Sequence, residues 1–202
     1  MRIRQHVNPL KSDFFGIPVA PLALPAGRVV EVELGSAEAF FLMERAEEDP
    51  ARHYVGVEIR RELAAAANVE CARRGLGNVE NVFANISVDL VRLFPPASVG
   101  RFHLNFPDPW WKSRQHKRRV VSPAFIAELH ALLAPQGEVH VASDIFEIAL
   151  DAMATLESDR FDNLSAPWTF LRASPFAARS RRERQCESEG LRIWRLAYRR
   201  AH

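Results

Sequence analysis

"RVVEVELGSAEAFFLMERAEEDP", residues 28–50, decides the fold. Val29, Val30, Val32 and Leu34 make an apolar, mostly β-branched run that stops at Gly35; over 37–49 the apolar side chains recur at helical spacing until Pro50 ends the pattern. Strand, tight turn and helix are the first half of a βαβ unit, and the alternation continues outward. "HYVGVEI" (53–59) predicts a strand, "RRELAAAANVECARRGLG" (60–77) a helix closed by Gly75 and Gly77, "VENVFA" (79–84) a third strand and "VDLVRLF" (88–94) a short helical turn. "VGRFHLNF" (99–106) and "GEVHVAS" (137–143) add strands, and "PAFIAELHALLA" (123–134) and "FEIALDAMATLES" (146–158) add helices. The expected fold is one α/β domain, a doubly wound, mostly parallel sheet covered on both faces through right-handed crossovers. "LRIWRLAYRR" (191–200) is expected as a late antiparallel strand near one edge, residues 1–27 as an N-terminal arm, and 170–190 as a loop before the last strand.

In an open α/β sheet ligands bind beyond the carboxyl ends of the strands, where strand order reverses. After the first strand come Glu33, Gly35, Ser36 and Ala37. Glu58 ends the second strand, 23 residues after Gly35, where an acid can accept from both hydroxyls of a ribose. Loops that approach a nucleoside use several glycines, because a Cβ would intrude. Here Gly35 stands alone, with Ala37 and Ala39 as small substitutes.

The fourth strand runs into "NFPDPWWKSRQHKRR" (105–119). Pro107 and Pro109 fix φ on both sides of Asp108 and stiffen the loop. A stiff acid flanked by Phe106, Trp110 and Trp111 suits a planar heterocycle, whose ring N–H and amino groups the carboxylate accepts. Lys112, Arg114, Lys117, Arg118 and Arg119 follow directly and suit the neutralisation of nucleic-acid phosphates.

The formal charge of +2 conceals a lopsided distribution: five Lys/Arg in 112–119 and nine Arg in 172–200, against a single Arg and eight acids in 120–171. Segregation of this kind points to a polyanionic partner. Two cysteines, Cys71 and Cys186, are too few for a disulfide framework or a four-ligand zinc site and are expected as free thiols in a reducing cytoplasm. The opening "MRIRQHVNPLKSDFFG" has no apolar leader and no run of about 18 apolar residues occurs, so a membrane is not an expected partner. The scattered histidines show no metal-ligand spacing, and no metal is expected.

The block "FPDPWWKSRQHKRR", preceded by "VELG" and "VGVE" and followed by "GEVHVASDIFEIA", resembles the tRNA (guanine-N7)-methyltransferase family from about residue 28 onward. The resemblance implies a Rossmann-like class I methyltransferase fold, S-adenosylmethionine as methyl donor, and N7 of a guanine in the tRNA variable loop as acceptor; the sequence leaves the oligomeric state open, with a monomer favoured. Position by position, it implies donor contacts from Glu33, Gly35, Glu58 and Asp108, with Asp108 also catalytic, and substrate contacts from Lys112 and Asp144. The family's Thr-Lys-Phe-Glu segment is approximated by Ser180, Arg181, Arg182 and Glu183, which makes Ser180, Arg181 and Glu183 expected substrate contacts. Asn85 stands where the family usually has an acid after the third strand and is expected to accept from an adenine amino group. The competing expectation, prompted by the glycine-poor loop and Asn85, is an RNA-binding protein of the same fold that has lost methyl transfer.

Overall fold

The computed structural model describes residues 7–109 and 119–201. Its strands are β1 (Val30–Leu34), β2 (His53–Glu58), β3 (Val79–Phe83), β4 (Val99–Asn105), β5 (Leu133–Ser143), β6 (Phe161–Asn163) and β7 (Trp194–Arg200). Its helices are α1 (Phe40–Glu48), α2 (Arg61–Arg74), α3 (Leu90–Leu93), α4 (Pro123–Leu132), α5 (Phe146–Leu156) and α6 (Arg181–Ser188). They build a single sheet in the order β3-β2-β1-β4-β5-β7-β6. The first five positions are parallel, and β7 runs antiparallel between β5 and β6.

Val30, Val32 and Leu34 of β1 alternate with Glu31 and Glu33, and all five are buried because helices cover both faces. The valines and Leu34 join the larger core, with Phe102 and Leu104 of β4, Val139 and Val141 of β5, and Ile126 and Leu129 of α4. On the opposite face a smaller core forms around Phe41, Leu42, Tyr54 and Cys71. From β1 the chain runs outward through β2 and β3, then returns to β4 on the other flank of β1. The reversal opens a crevice at the carboxyl ends of β1 and β4.

Two elements depart from the sequence expectation. Residues 170–190 are not wholly loop, because Ser180 caps α6 by accepting from the Glu183 N–H at 3.2 Å. The three-residue β6 pairs with β7 and so takes the outermost place, which leaves β7 one strand in from the edge. The N-terminal arm lies against the body: Leu22 N–H donates to the Leu93 carbonyl at 2.9 Å, and Val19, Leu22 and Leu24 pack on the larger core. Cys71 and Cys186 are both free and buried. Among the described residues no helix is long and apolar enough to cross a membrane.

Candidate active site

A crevice of about 750 Å³ opens where β1 and β4 part. Its wall brings together Glu33, Gly35, Glu58, Asn85, Asp108, Asp144, Ser180 and Arg181, residues spread over most of the sequence.

The turn after β1 is tighter than its composition suggests. Gly35 has φ 80°, and its N–H donates to Val57 O at 2.8 Å. Ala37 and Ala39 also take positive φ, 48° and 57°, a region that costs a non-glycine residue about 1–2 kcal/mol. Surrounding bonds enforce it: Ala37 N–H donates to Glu58 Oε2 at 2.8 Å, and Ala39 N–H to Ser36 O at 2.7 Å. The absence of a side chain at Gly56 makes room for this turn, since a Cβ there would lie 2.6 Å from Ser36 Oγ and 2.2 Å from Asn81 Oδ1.

The carboxylates on this side differ sharply. Glu33 accepts from Asn105 Nδ2 at 2.8 Å through Oε1, while its Oε2 is buried without a partner. Burial, reinforced by the charges of Glu58 and Glu183, pushes its carboxyl up to about 8, against the pull of the Asn105 hydrogen bond. Glu58 is instead saturated. Its two oxygens accept from the Ala37 N–H and from the Arg60 N–H, Nε and Nη2 at 2.7–3.0 Å, which fills the acceptor sites of a carboxylate. The ribose contact expected of Glu58 therefore competes with the Arg60 guanidinium. Asn85 also departs from expectation. Its Oδ1 accepts from Ser87 N–H at 3.0 Å, and its Nδ2 donates to the carbonyls of Pro9 at 2.9 Å and Phe14 at 3.3 Å, so the amide ties the N-terminal arm to the end of β3. A carboxylate could not make those two donor bonds.

Asp108 sits on a loop pinned at both ends. Phe106, at φ 51°, donates its N–H to Ala142 O at 2.7 Å, and Pro109 O accepts from Arg119 Nε at 3.0 Å. Arg119 is held in turn by Glu147 at 2.8 Å and Asp151 at 2.6 Å, both on α5. The phosphate contact expected of Arg119 thus gives way to bracing the Asp108 loop. Asp108 lies close enough to Arg60 for their charges to act on each other. Lys112, Arg114, Lys117 and Arg118 lie outside the described residues.

Among the other lining residues Asp144 accepts from Arg182 Nη2 at 2.5 Å, and Arg181 reaches Glu38 at 3.1 Å while lying over the Phe40 ring at 4.9 Å. Glu183 is buried and accepts from Arg195 at 2.7 Å, set back from the crevice wall, so it acts there through its charge on Glu33. Asn105 and Arg60 are the residues the sequence reading passed over. Both stand at strand ends, Asn105 as the last residue of β4 before the Pro-rich loop and Arg60 two residues past Glu58, which ends β2.

Solved structures share this architecture. A methyltransferase from Aquifex aeolicus dependent on S-adenosylmethionine superposes with a TM-score of 0.59 at 11% identity, over 86% of this chain and 82% of that one. The 16S rRNA methyltransferase KamB superposes with 0.58 at 18% identity, over 86% and 88%. The parallel sheet closed by an antiparallel β7, with acids at the ends of β1, β2 and β4 around the switch point, is the fold of a class I methyltransferase. A family model described as "Putative methyltransferase" matches residues 27–196. The tRNA (guanine-N(7)-)-methyltransferase of Synechococcus sp. (strain JA-3-3Ab) is 38% identical over 96% of this chain and 84% of its own length. That of Thermosynechococcus vestitus is 34% identical over 99% and 95%. The chain belongs to the tRNA (guanine-N7)-methyltransferase family.

Proposed function

We propose that the protein transfers a methyl group from S-adenosylmethionine to N7 of a guanine in tRNA. The observation that carries this is the crevice at the β1/β4 switch point, which is lined by both Glu33 and the braced Asp108. The donor fits it chemically: Glu33 Oε2 and Ser36 Oγ are buried polar atoms with no partner, and an acid beside them suits a positively charged ligand. Bound there, S-adenosylmethionine supplies an electrophilic methyl carbon on a cationic sulfur.

Guanine N7 carries an exposed lone pair, so no base has to remove a proton, and alignment provides most of the rate. Asp108 orients the guanine from a loop fixed by Pro107, Pro109 and the Arg119 brace. Its charge opposes the positive charge that develops on the imidazole ring of the base. Asp144, Ser180 and Arg181 form the acceptor wall, and Lys112, Arg114, Lys117 and Arg118 supply cations for the phosphates.

The test incubates the protein with labelled donor and unmodified tRNA and maps the product. Label is expected in 7-methylguanosine, and Asp108→Ala is expected to slow the single-turnover rate by about 100-fold or more while tRNA affinity stays within a few-fold. Wild-type protein that binds tRNA without moving label is the outcome expected of a fold-mate that has lost methyl transfer. Near-wild-type turnover by Asp108→Ala removes the role assigned to that residue.

A further inference from the structure

Beside the acceptor wall three aromatic rings meet. Phe146 and Trp194 have centroids 4.6 Å apart, Phe170 and Trp194 5.0 Å, and Phe146 and Phe170 6.2 Å. The cluster lies close to the crevice: Phe146 opens α5 two residues after Asp144, which lines it, and Trp194 pairs with Ser143 at the end of β5. Two residues span at most about 7 Å of extended chain. Phe170 is anchored on the larger core, whereas Phe146, at the outer end, is 49% exposed.

The cations around it are unusual in this chain. Arg179, Arg181, Arg182, Arg184, Arg195, Arg199 and Arg200 are each bonded to a protein acceptor. Arg192 and Arg172 are exposed and have no carboxylate partner among the described residues. Arg192 lies with its guanidinium carbon 3.9 Å from the Trp194 ring centroid. A ring cluster open to solvent at Phe146 and carrying an uncompensated, stacked guanidinium suits a ligand with both a flat face and a negative charge. Unpaired nucleotides have both, and proteins that read RNA stack splayed bases on aromatic rings and guanidinium planes. A purely apolar partner would leave Arg192 unneutralised.

We infer that Phe146, Phe170 and Trp194, with Arg192 at their edge, form a stacking subsite for an unpaired base next to the guanine that enters the crevice, Arg192 meeting the phosphate between them. The inference rests on the tRNA reading above and extends it. A guanine can reach the floor of a crevice only if it leaves its neighbours, and the subsite gives the base on that side a new ring to stack on. Because every base has a π-face, this contact tolerates sequence and acts on affinity rather than on the chemical step.

The experiment measures kcat and KM for unmodified tRNA with the wild type, Phe146→Ala, Phe146→Tyr and Arg192→Ala. It uses intact tRNA and tRNAs with a single abasic site on either side of the methylated guanine. Phe146→Ala is expected to raise KM for tRNA by about 5- to 100-fold, with donor affinity unchanged and Phe146→Tyr close to wild type. Removal of the stacked base should cost the wild type a similar factor and cost Phe146→Ala little more. Arg192→Ala, at an exposed position with no protein ion pair to lose, should flatten the plot of log affinity against log salt by about 0.7–0.9. Melting curves distinguish a folding defect, and Phe146→Tyr and Arg192→Ala keep the test open if Phe146→Ala folds poorly. A wild-type KM in both Phe146→Ala and Arg192→Ala, or fully additive losses from variant and abasic site, overturns the subsite while leaving methylation intact. Absence of any transfer to tRNA by the wild type overturns the reading on which it rests.

Discussion

Glu31 and Glu33 stand two residues apart on β1 and project from the same face of the sheet, yet their surroundings are opposite. Glu31 accepts from Arg45 at 3.0 Å, Arg52 and Arg101 at 2.9 Å, and His103 Nε2 at 2.9 Å. Burial alone would raise its carboxyl, but the His103 hydrogen bond and the guanidiniums of Arg45 and Arg101 outweigh it and hold Glu31 well below the usual carboxylate range. Burial pushes His103 down to about 4, so at neutral pH it is a neutral donor to Glu31. Phe176 closes the cluster, its ring centroid 4.6 Å from the Arg45 guanidinium and 5.1 Å from that of Arg101. Two residues toward the mouth, Glu33 has one amide partner and one orphaned oxygen. A fully compensated buried acid joins α1, β1 and β4; a half-compensated one at the same depth marks where a ligand is needed.

The largest expected effect breaks the compensated end. Glu31→Ala leaves three guanidiniums without their shared anion and should cost about 3–5 kcal/mol of stability, read from urea denaturation at pH 7. A loss below about 1 kcal/mol would show that the cluster is not a structural clamp.

The second prediction concerns Glu33, whose carboxyl is raised from its ordinary 4.5 to about 8. The folded protein holds this proton more tightly than the unfolded chain. The group's stabilising contribution is therefore fully present below about pH 4.5 and is lost as pH rises to about 8. Glu33→Gln should abolish that slope, at most about 1.4 kcal/mol per pH unit, and be more stable than wild type at pH 8 and above. The same change should weaken donor binding by roughly tenfold or more, because a cationic ligand draws the proton off Glu33 and is then balanced by its carboxylate, a charge an amide cannot supply. Parallel pH–stability curves for the two proteins, or unchanged donor affinity by calorimetry, would remove Glu33 from the donor site.

The smallest effect lies in the turn between β1 and α1. Ala37→Gly and Ala39→Gly relieve left-handed alanines but add freedom to the unfolded chain. Each should stabilise by no more than about 1 kcal/mol, and Gly35→Ala at φ 80° should destabilise by about as much as alanine pays there. Melting temperatures that fall for both glycine variants would mean the alanine methyls themselves hold the turn together.

The alternation of β-branched runs with helical periods determined the sheet and helices α1 to α5, because in those segments burial on one face or both writes the local period into the sequence. It also located Glu33, Glu58 and Asp108, since strand ends are where an α/β sheet exposes functional groups, whereas Asp144 came from the family resemblance. The tertiary structure alone decided which charges face a ligand and which face each other. The nine arginines of 172–200 read as one cationic surface, yet seven meet acceptors, among them Glu38, Glu44, Asp144 and Glu138, that lie far away along the chain. Arg119 likewise meets α5. Helix α6, with only Glu183 and Cys186 buried, carries no apolar stripe to announce it, and β6 is too short to show a period. The positive φ of Ala37 and Ala39 and the donor role of Asn85 come from bonds to Glu58, Ser36, Pro9 and Phe14. Local sequence fixes backbone period and solvent preference, whereas the partner of a charge, an amide or a strained turn is set by residues that only folding brings near.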